Sequence, residues 1–173
     1  PPMIIGPGDT AVLDLFKMVK KKLILVAGLD GLNNQYSFIC VFDLIQLLQR
    51  TLDKTLASNE ESQTMKIYFS SHPDIIMMEE LLNKIQEKLG IKKMRYIKLP
   101  IFIIRLVSYI LKTFSFLMKE KLPLTPDKVS ELAPSKWVCS GKLSEDELSL
   151  EYKWDLDKTI TSTLADYQSR GWI

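Results

Sequence analysis

At 173 residues the chain is long enough to bury one good core, and it reads as one region spanning 1–173. Hydrophobic residues make up 46% and charged residues 25%, and 23 basic residues against 21 acidic ones leave a net charge of +2, so no strong field calls for a nucleic-acid partner. Two cysteines, Cys40 and Cys139, and one histidine, His72, exclude a cysteine- or histidine-rich metal site by count.

The opening run Met3-Ile4-Ile5 favours a buried strand, and Gly6-Pro7-Gly8 then makes a tight turn. Asp9 or Thr10 is placed to cap a helix over about 11–21. Taken alone, Gly6 to Ala11 also matches the Gly-x-Gly-x-x-Gly/Ala turn that sets a dinucleotide pyrophosphate on a helix N-terminus, with Asp30 at the spacing of a ribose ligand. Against that stand Pro7, which removes an amide donor, and Asp9, which brings a negative charge to the phosphate position. Leu23 to Ala27 is predicted as a strand, 28–34 as a turn, and Gln35 to Val41 as another strand. Asp43 begins a helix to about Leu56 with Leu44, Leu47, Leu48 and Leu52 at helical spacing. Ser58 to Gln63 reads as a polar loop and Met65 to Phe69 as a strand. Asp74 is expected to cap a helix through Leu89 that Gly90 stops, and Met94 to Lys98 is a further short strand.

The polar residues of 101–118, Arg105, Ser108, Lys112 and Ser115, form one narrow helical stripe, and nearly all the rest is apolar. Arg105 and Lys112 each cost roughly 2.5–3.5 kcal/mol at a bilayer centre, so a membrane span is disfavoured. The helix is read as packed in the core or under a partner domain. The alternatives are a wall for a lipid-like substrate, or a docking surface of a non-enzymatic protein- or membrane-interaction module. Thr125, Pro126 and Asp127 open a short helix, Ser144 with Glu147 has the capping-box pattern, and Asp155 opens a last helix with Ile160, Leu164 and Tyr167 on one face. The acid pairs Glu60-Glu61 and Glu145-Asp146-Glu147 are read as solvated or capping. His72 beside Ser70, Ser71 and Asp74 sits in a strand-to-helix loop, and adjacency in sequence does not make a catalytic triad. The fold class is mixed α/β.

Pro1-Pro2-Met3-Ile4-Ile5-Gly6-Pro7-Gly8-Asp9 resembles the Arg-Pro-Pro-x-x-Val-Tyr-Gly-Pro-Gly-Asp stretch of extended short-chain dehydrogenases/reductases, the NAD(P)-dependent epimerase/dehydratase family. Phe38-Ile39-Cys40-Val41-Phe42-Asp43-Leu44 is similar to that family's Phe-Ile-His-Val-Asp-Asp-Leu junction. Tyr167-Gln168-Ser169-Arg170-Gly171-Trp172 resembles its common ending. The resemblance implies a Rossmann-type enzyme of which this chain is the C-terminal, substrate-binding part, the N-terminal cofactor-binding half lying outside it. Family catalysis uses a Tyr with a Lys four residues on, and each tyrosine here has another residue at that position: Cys40, His72, Pro100, Thr113, Leu156 or Gly171. No catalytic residue is therefore assigned to this chain.

By the same resemblance, NAD or NADP belongs to the full-length parent, with Pro1 and Pro2 near the nicotinamide. Gly8, Asp9, Leu13, Phe16, Tyr36 and Cys40 flank a small-molecule substrate. Tyr36 stands where relatives acting on nucleotide sugars carry an arginine, and Cys40 and Phe42 replace the usual His and first Asp. Losing those charged grips favours a less charged sterol-like, lipid-linked or phenolic compound over a nucleotide sugar, with plain packing of the three residues as the equal alternative. The implied partners are the missing Rossmann half and a second copy of the chain. The two thiols in apolar surroundings and the absence of a signal-peptide pattern at the opening prolines point to the cytoplasm.

Overall fold

The computed structural model describes residues 2–57, 66–118, 127, 129–130 and 135–173, with side chains of the helix 101–118 as far as Lys112. The element order is β1 (Met3–Ile5), α1 (Leu13–Lys20), β2 (Leu23–Ala27), a 3-10 turn (Gly31–Asn33), β3 (Gln35–Cys40), α2 (Val41–Ala57), β4 (Ile75–Met77) and α3 (Met78–Lys88). There follow β5 (Arg95–Leu99), α4 (Ile101–Met118), β6 (Lys136–Trp137), α5 (Lys142–Leu148) and α6 (Leu156–Ser169).

β3 organises the larger sheet. Its end runs parallel to β1, with Ile5 opposite Cys40, while its start takes β4 antiparallel and β6 parallel. β2 and β5 form a separate parallel pair, Leu23 opposite Arg95 through Ala27 opposite Leu99. Between the strands lies a core of Ile5, Phe16, Phe38, Ile85, Ile160 and Tyr167, all fully buried. α3 packs against α1 and α6. Gly90, at φ 65°, ends α3 in the left-handed conformation that a glycine adopts without Cβ strain. Asp155 caps α6 as its periodicity predicts, accepting from the Lys158 amide at 2.8 Å, and Ile160, Leu164 and Tyr167 are buried together on one face.

Four local expectations are corrected. Asp74 does not cap α3: Ile75–Met77 is a strand against Ser37–Gln35, and α3 begins after it. Burying Ile76 and completing the ladder outweighs a local cap signal. Residues 66–69 of the expected strand 65–69 carry no ladder; Met65 lies outside the described residues. On α2 the inward residues are Asp43 and Leu47, whereas Leu48 and Leu52 are exposed. Ser144 lies inside α5, buried and donating to the Phe69 carbonyl at 2.6 Å, so the capping box does not form. The loop 58–63 with Glu60 and Glu61, and the cap at Thr125 and Pro126, lie outside the described residues; Asp127 is helical.

Glu147, partly exposed, is ion-paired rather than capping. Its carboxylate holds Lys54 and Lys66 at 2.9 Å and the Tyr68 hydroxyl at 2.7 Å, tying α5 to α2 and to the segment after it. Hydrogen bonds from Lys66, then Lys54 and Tyr68, lower its pKa from 4.5 to about 2. A carboxyl whose folded pKa is depressed adds stability that is fully present above 4.5 and is lost as pH falls through about 2. Glu147→Gln should therefore melt below the wild type at pH 7, by a modest, salt-screened amount. The gap should close as the pH approaches about 2 in melts recorded across the acid range.

Candidate functional site

Two parallel strands end side by side, β1 running into Gly6 and β3 into Val41. In open α/β sheets the ground outside such carboxyl ends is where ligands collect, which makes this edge the candidate site. A Cβ on Gly6 would collide with the Val41 side chain, so only a glycine lets the turn lie against the start of α2.

The turn is fastened from within and from the far end of the chain. Asp9 donates its amide to the Gly6 carbonyl at 3.2 Å, and its carboxylate accepts from the amides of Ala11 at 2.8 Å and Val12 at 3.4 Å. Gly8, at φ 82°, donates its amide to Asp166 Oδ2 at 2.8 Å. Arg170 Nε grips both oxygens of the same carboxylate, and these bonds, the arginine's first, lower the Asp166 pKa. The Tyr167 hydroxyl donates to the Asp9 carbonyl at 2.5 Å; burial, with the charges of Asp9 and Asp166, pushes its pKa up and keeps the donor proton in place.

On the β3 side, Asp43 is buried, and its two oxygens accept from the amides of Lys153 at 3.2 Å and Trp154 at 3.1 Å. That brings Trp154 onto Phe42, ring centres 4.8 Å apart, giving the edge a partly exposed aromatic pair. Cys40 is buried beneath it, and burial pushes its thiol up, away from the thiolate a nucleophile needs.

The structure brings Gly8, Asp9 and Cys40 to this edge. Leu13 and Phe16 are buried behind the turn, Phe16 edge-on to Tyr167 at 5.1 Å. Tyr36 stands at the other end of β3, half buried between Ile76 and Trp137, its hydroxyl accepting from Asn34 at 3.5 Å. Pro2 precedes β1, and Pro1 lies outside the described residues. His72 stacks on Phe38 at 4.9 Å, and its Nδ1 accepts from the Asp74 amide, while Ser71 Oγ donates to the His72 carbonyl, which is loop packing rather than a relay. Sequence reasoning missed Asp43, Trp154, Asp166 and Arg170. An acid and an arginine four apart on α6 was the available signal for the last two.

No protein-family model and no curated protein matches the sequence. Solved structures do match in three dimensions. UDP-glucuronic acid 4-epimerase from Bacillus cereus, in complex with UDP-glucuronic acid and NAD, superposes with a TM-score of 0.64 at 10% identity, over 98% of this chain and 44% of that one. UDP-glucose 4-epimerase from Thermotoga maritima gives 0.62 at 12%, over 98% and 44%, and RMD from Pseudomonas aeruginosa, complexed with NADPH, gives 0.62 at 12%, over 97% and 46%. The fold is that of the Rossmann-type short-chain dehydrogenases/reductases. The chain spans less than half the length of these structures.

A Rossmann dinucleotide rests its pyrophosphate on unpaired amides at a helix N-terminus. Here the amides of Gly8, Asp9, Ala11 and Val12 are taken by Asp166, the Gly6 carbonyl and the Asp9 carboxylate, and two carboxylates stand where a phosphate would. The turn Gly6 to Ala11 therefore does not fit a dinucleotide, and the fingerprint reading of it is set aside. Among the described residues no three His, Cys, Asp or Glu side chains converge as a metal site.

Proposed function

We propose that this chain is the C-terminal, substrate-binding portion of an NAD(P)-dependent epimerase, dehydratase or reductase of the extended short-chain dehydrogenase/reductase type, inactive by itself. The observation that carries the reading is the turn after β1: it has the family's Gly-Pro-Gly-Asp sequence, yet its amides are spent within the turn itself and, at Gly8, on Asp166 of the chain's own C-terminal helix. Cofactor binding and proton transfer then belong to another half of the protein.

Two further features favour that division. Among the described residues β1 is paired on one side only, so its outer edge is open to a parallel strand. The exposed face of α2 carries Phe42, Ile45, Leu48, Leu52 and Leu56, an apolar stripe of the kind that packs under a second layer. In this reading Pro1 and Pro2 border the nicotinamide end. Gly8 and Asp9 shape one wall of the substrate site, with Leu13 and Phe16 bracing it from behind, and Cys40 lies at its floor.

The substrate is a carbonyl or hydroxyl compound, sugar-like, sterol-like or lipid-like. Tyr36 stands in place of an arginine that could grip a diphosphate, Cys40 and Phe42 in place of a His and an Asp, and the Phe42–Trp154 pair offers an apolar surface instead. The test is the mass of the polypeptide as its source makes it, which this reading puts at roughly twice 19.9 kDa.

A further inference from the structure

Helix α4 is turned inside out. Ile104 and Ser108 face the body, Ser108 fully buried with its Oγ bonded to the Arg105 carbonyl at 2.7 Å, while Phe102 is 70% and Leu106 60% exposed. At 3.6 residues per turn, Phe102, Leu106, Tyr109 and Ile110 share the outward face, and Arg105 and Lys112 run along one flank of it. The helix expected in the core or under a partner domain thus presents an apolar side to solvent. Among the described residues no helix is long and apolar enough to cross a membrane.

The charge pattern indicates what covers this face. Residues 89–112 contain no aspartate or glutamate and six basic residues, Lys92, Lys93, Arg95, Lys98, Arg105 and Lys112, every one exposed. None of the six is in an ion pair with a described residue. β5 and α4 form one continuous unit, for the Leu99 carbonyl accepts from Gly28 at 2.8 Å and the Pro100 carbonyl accepts from Ile103 and Ile104 at the first turn of α4. A partner protein closing over α4 would have to desolvate Arg105 and Lys112, whereas a lipid surface takes the apolar face into the acyl boundary and leaves long cationic side chains at the headgroups. Two exposed cations, Arg105 and Lys112, on the flank of that face match a surface of the opposite sign.

We propose that α4 docks in the plane of a membrane surface that contains anionic lipid, its outward apolar face inserted and Arg105 and Lys112 on the headgroups. The inference goes beyond the enzymatic reading and does not depend on it.

Sedimentation of the 173-residue chain with vesicles tests it. The chain should pellet with phosphatidylcholine vesicles containing about 30% phosphatidylserine, and about tenfold or more weakly with phosphatidylcholine alone or when salt shortens the screening length. Leu106→Glu should abolish pelleting, and Arg105→Glu with Lys112→Glu should remove the preference for anionic lipid. All three positions are exposed, so circular dichroism and melting should stay those of the wild type. A folded chain that ignores both vesicles, or pelleting unchanged by Leu106→Glu, overturns the proposal. So does a wild type that self-associates through this face, losing its dimer on Leu106→Glu without any lipid binding.

Discussion

Phe16→Ala should lower the free energy of unfolding by about 3–5 kcal/mol, the range for emptying a fully buried aromatic site. For a chain of this length that is a fall in melting temperature on the order of 10 °C. Phe16 has no exposed surface, and its ring meets the edge of Tyr167 at an interplanar angle of 84°. Truncation removes buried apolar area, leaves a cavity between α1 and α6, and takes the support from the ring whose hydroxyl holds the Asp9 carbonyl. The loss should therefore reach the turn as well as the core, appearing as faster amide exchange at Gly8 and Asp9. Phe102→Ala, the same change at a residue 70% exposed, should stay within about 0.5 kcal/mol. Equal effects at the two positions in urea unfolding would mean that the packing of α1 on α6 is misassigned.

Asp43→Ala should be the most damaging polar substitution. It deprives the amides of Lys153 and Trp154 of their acceptor, at about 1–3 kcal/mol for each one left unpaired. Lys153 is exposed and water will repair part of its loss, so the lower half of the summed range is expected. Asp43→Asn retains one acceptor oxygen but turns an amide NH2 toward the second donor, and should fall between alanine and wild type. Both variants should free Trp154 from Phe42, read as a shift in tryptophan emission toward longer wavelength in the folded state. Stability and emission unchanged in Asp43→Ala would show that the carboxylate does not hold this segment.

These two residues also show what was legible beforehand. The strand, turn and helix around Gly6, the strands at 23 and 35, and the capped helix from Asp155 announce themselves locally, through β-branched runs, glycines and a capping carboxylate. Phe16 and Tyr167 fall on the buried faces of periodic helices. Asp43 reads as an ordinary first-turn acid until the fold brings residues 153–154 to it from 110 positions away. The same holds for Glu147, whose lysines come from other elements, and for Ile75–Met77, where a ladder with β3 overrides the local signal of Asp74. α4 leaves more open. Its periodicity is plain, but periodicity states only that two faces differ, and the apolar one lies outward because Ile104 and Ser108 are the residues that meet the body.

The central claim, that this chain is one half of a dinucleotide-dependent enzyme whose cofactor half lies elsewhere in the same polypeptide, is tested most directly by the mass of the native product, blotted with an antibody raised against residues 135–173. A single band near twice 19.9 kDa is the predicted result, with a glycine-rich turn and a Tyr-x-x-x-Lys in the additional sequence. A single band near 19.9 kDa would contradict the claim and leave a free-standing protein that works through its surfaces.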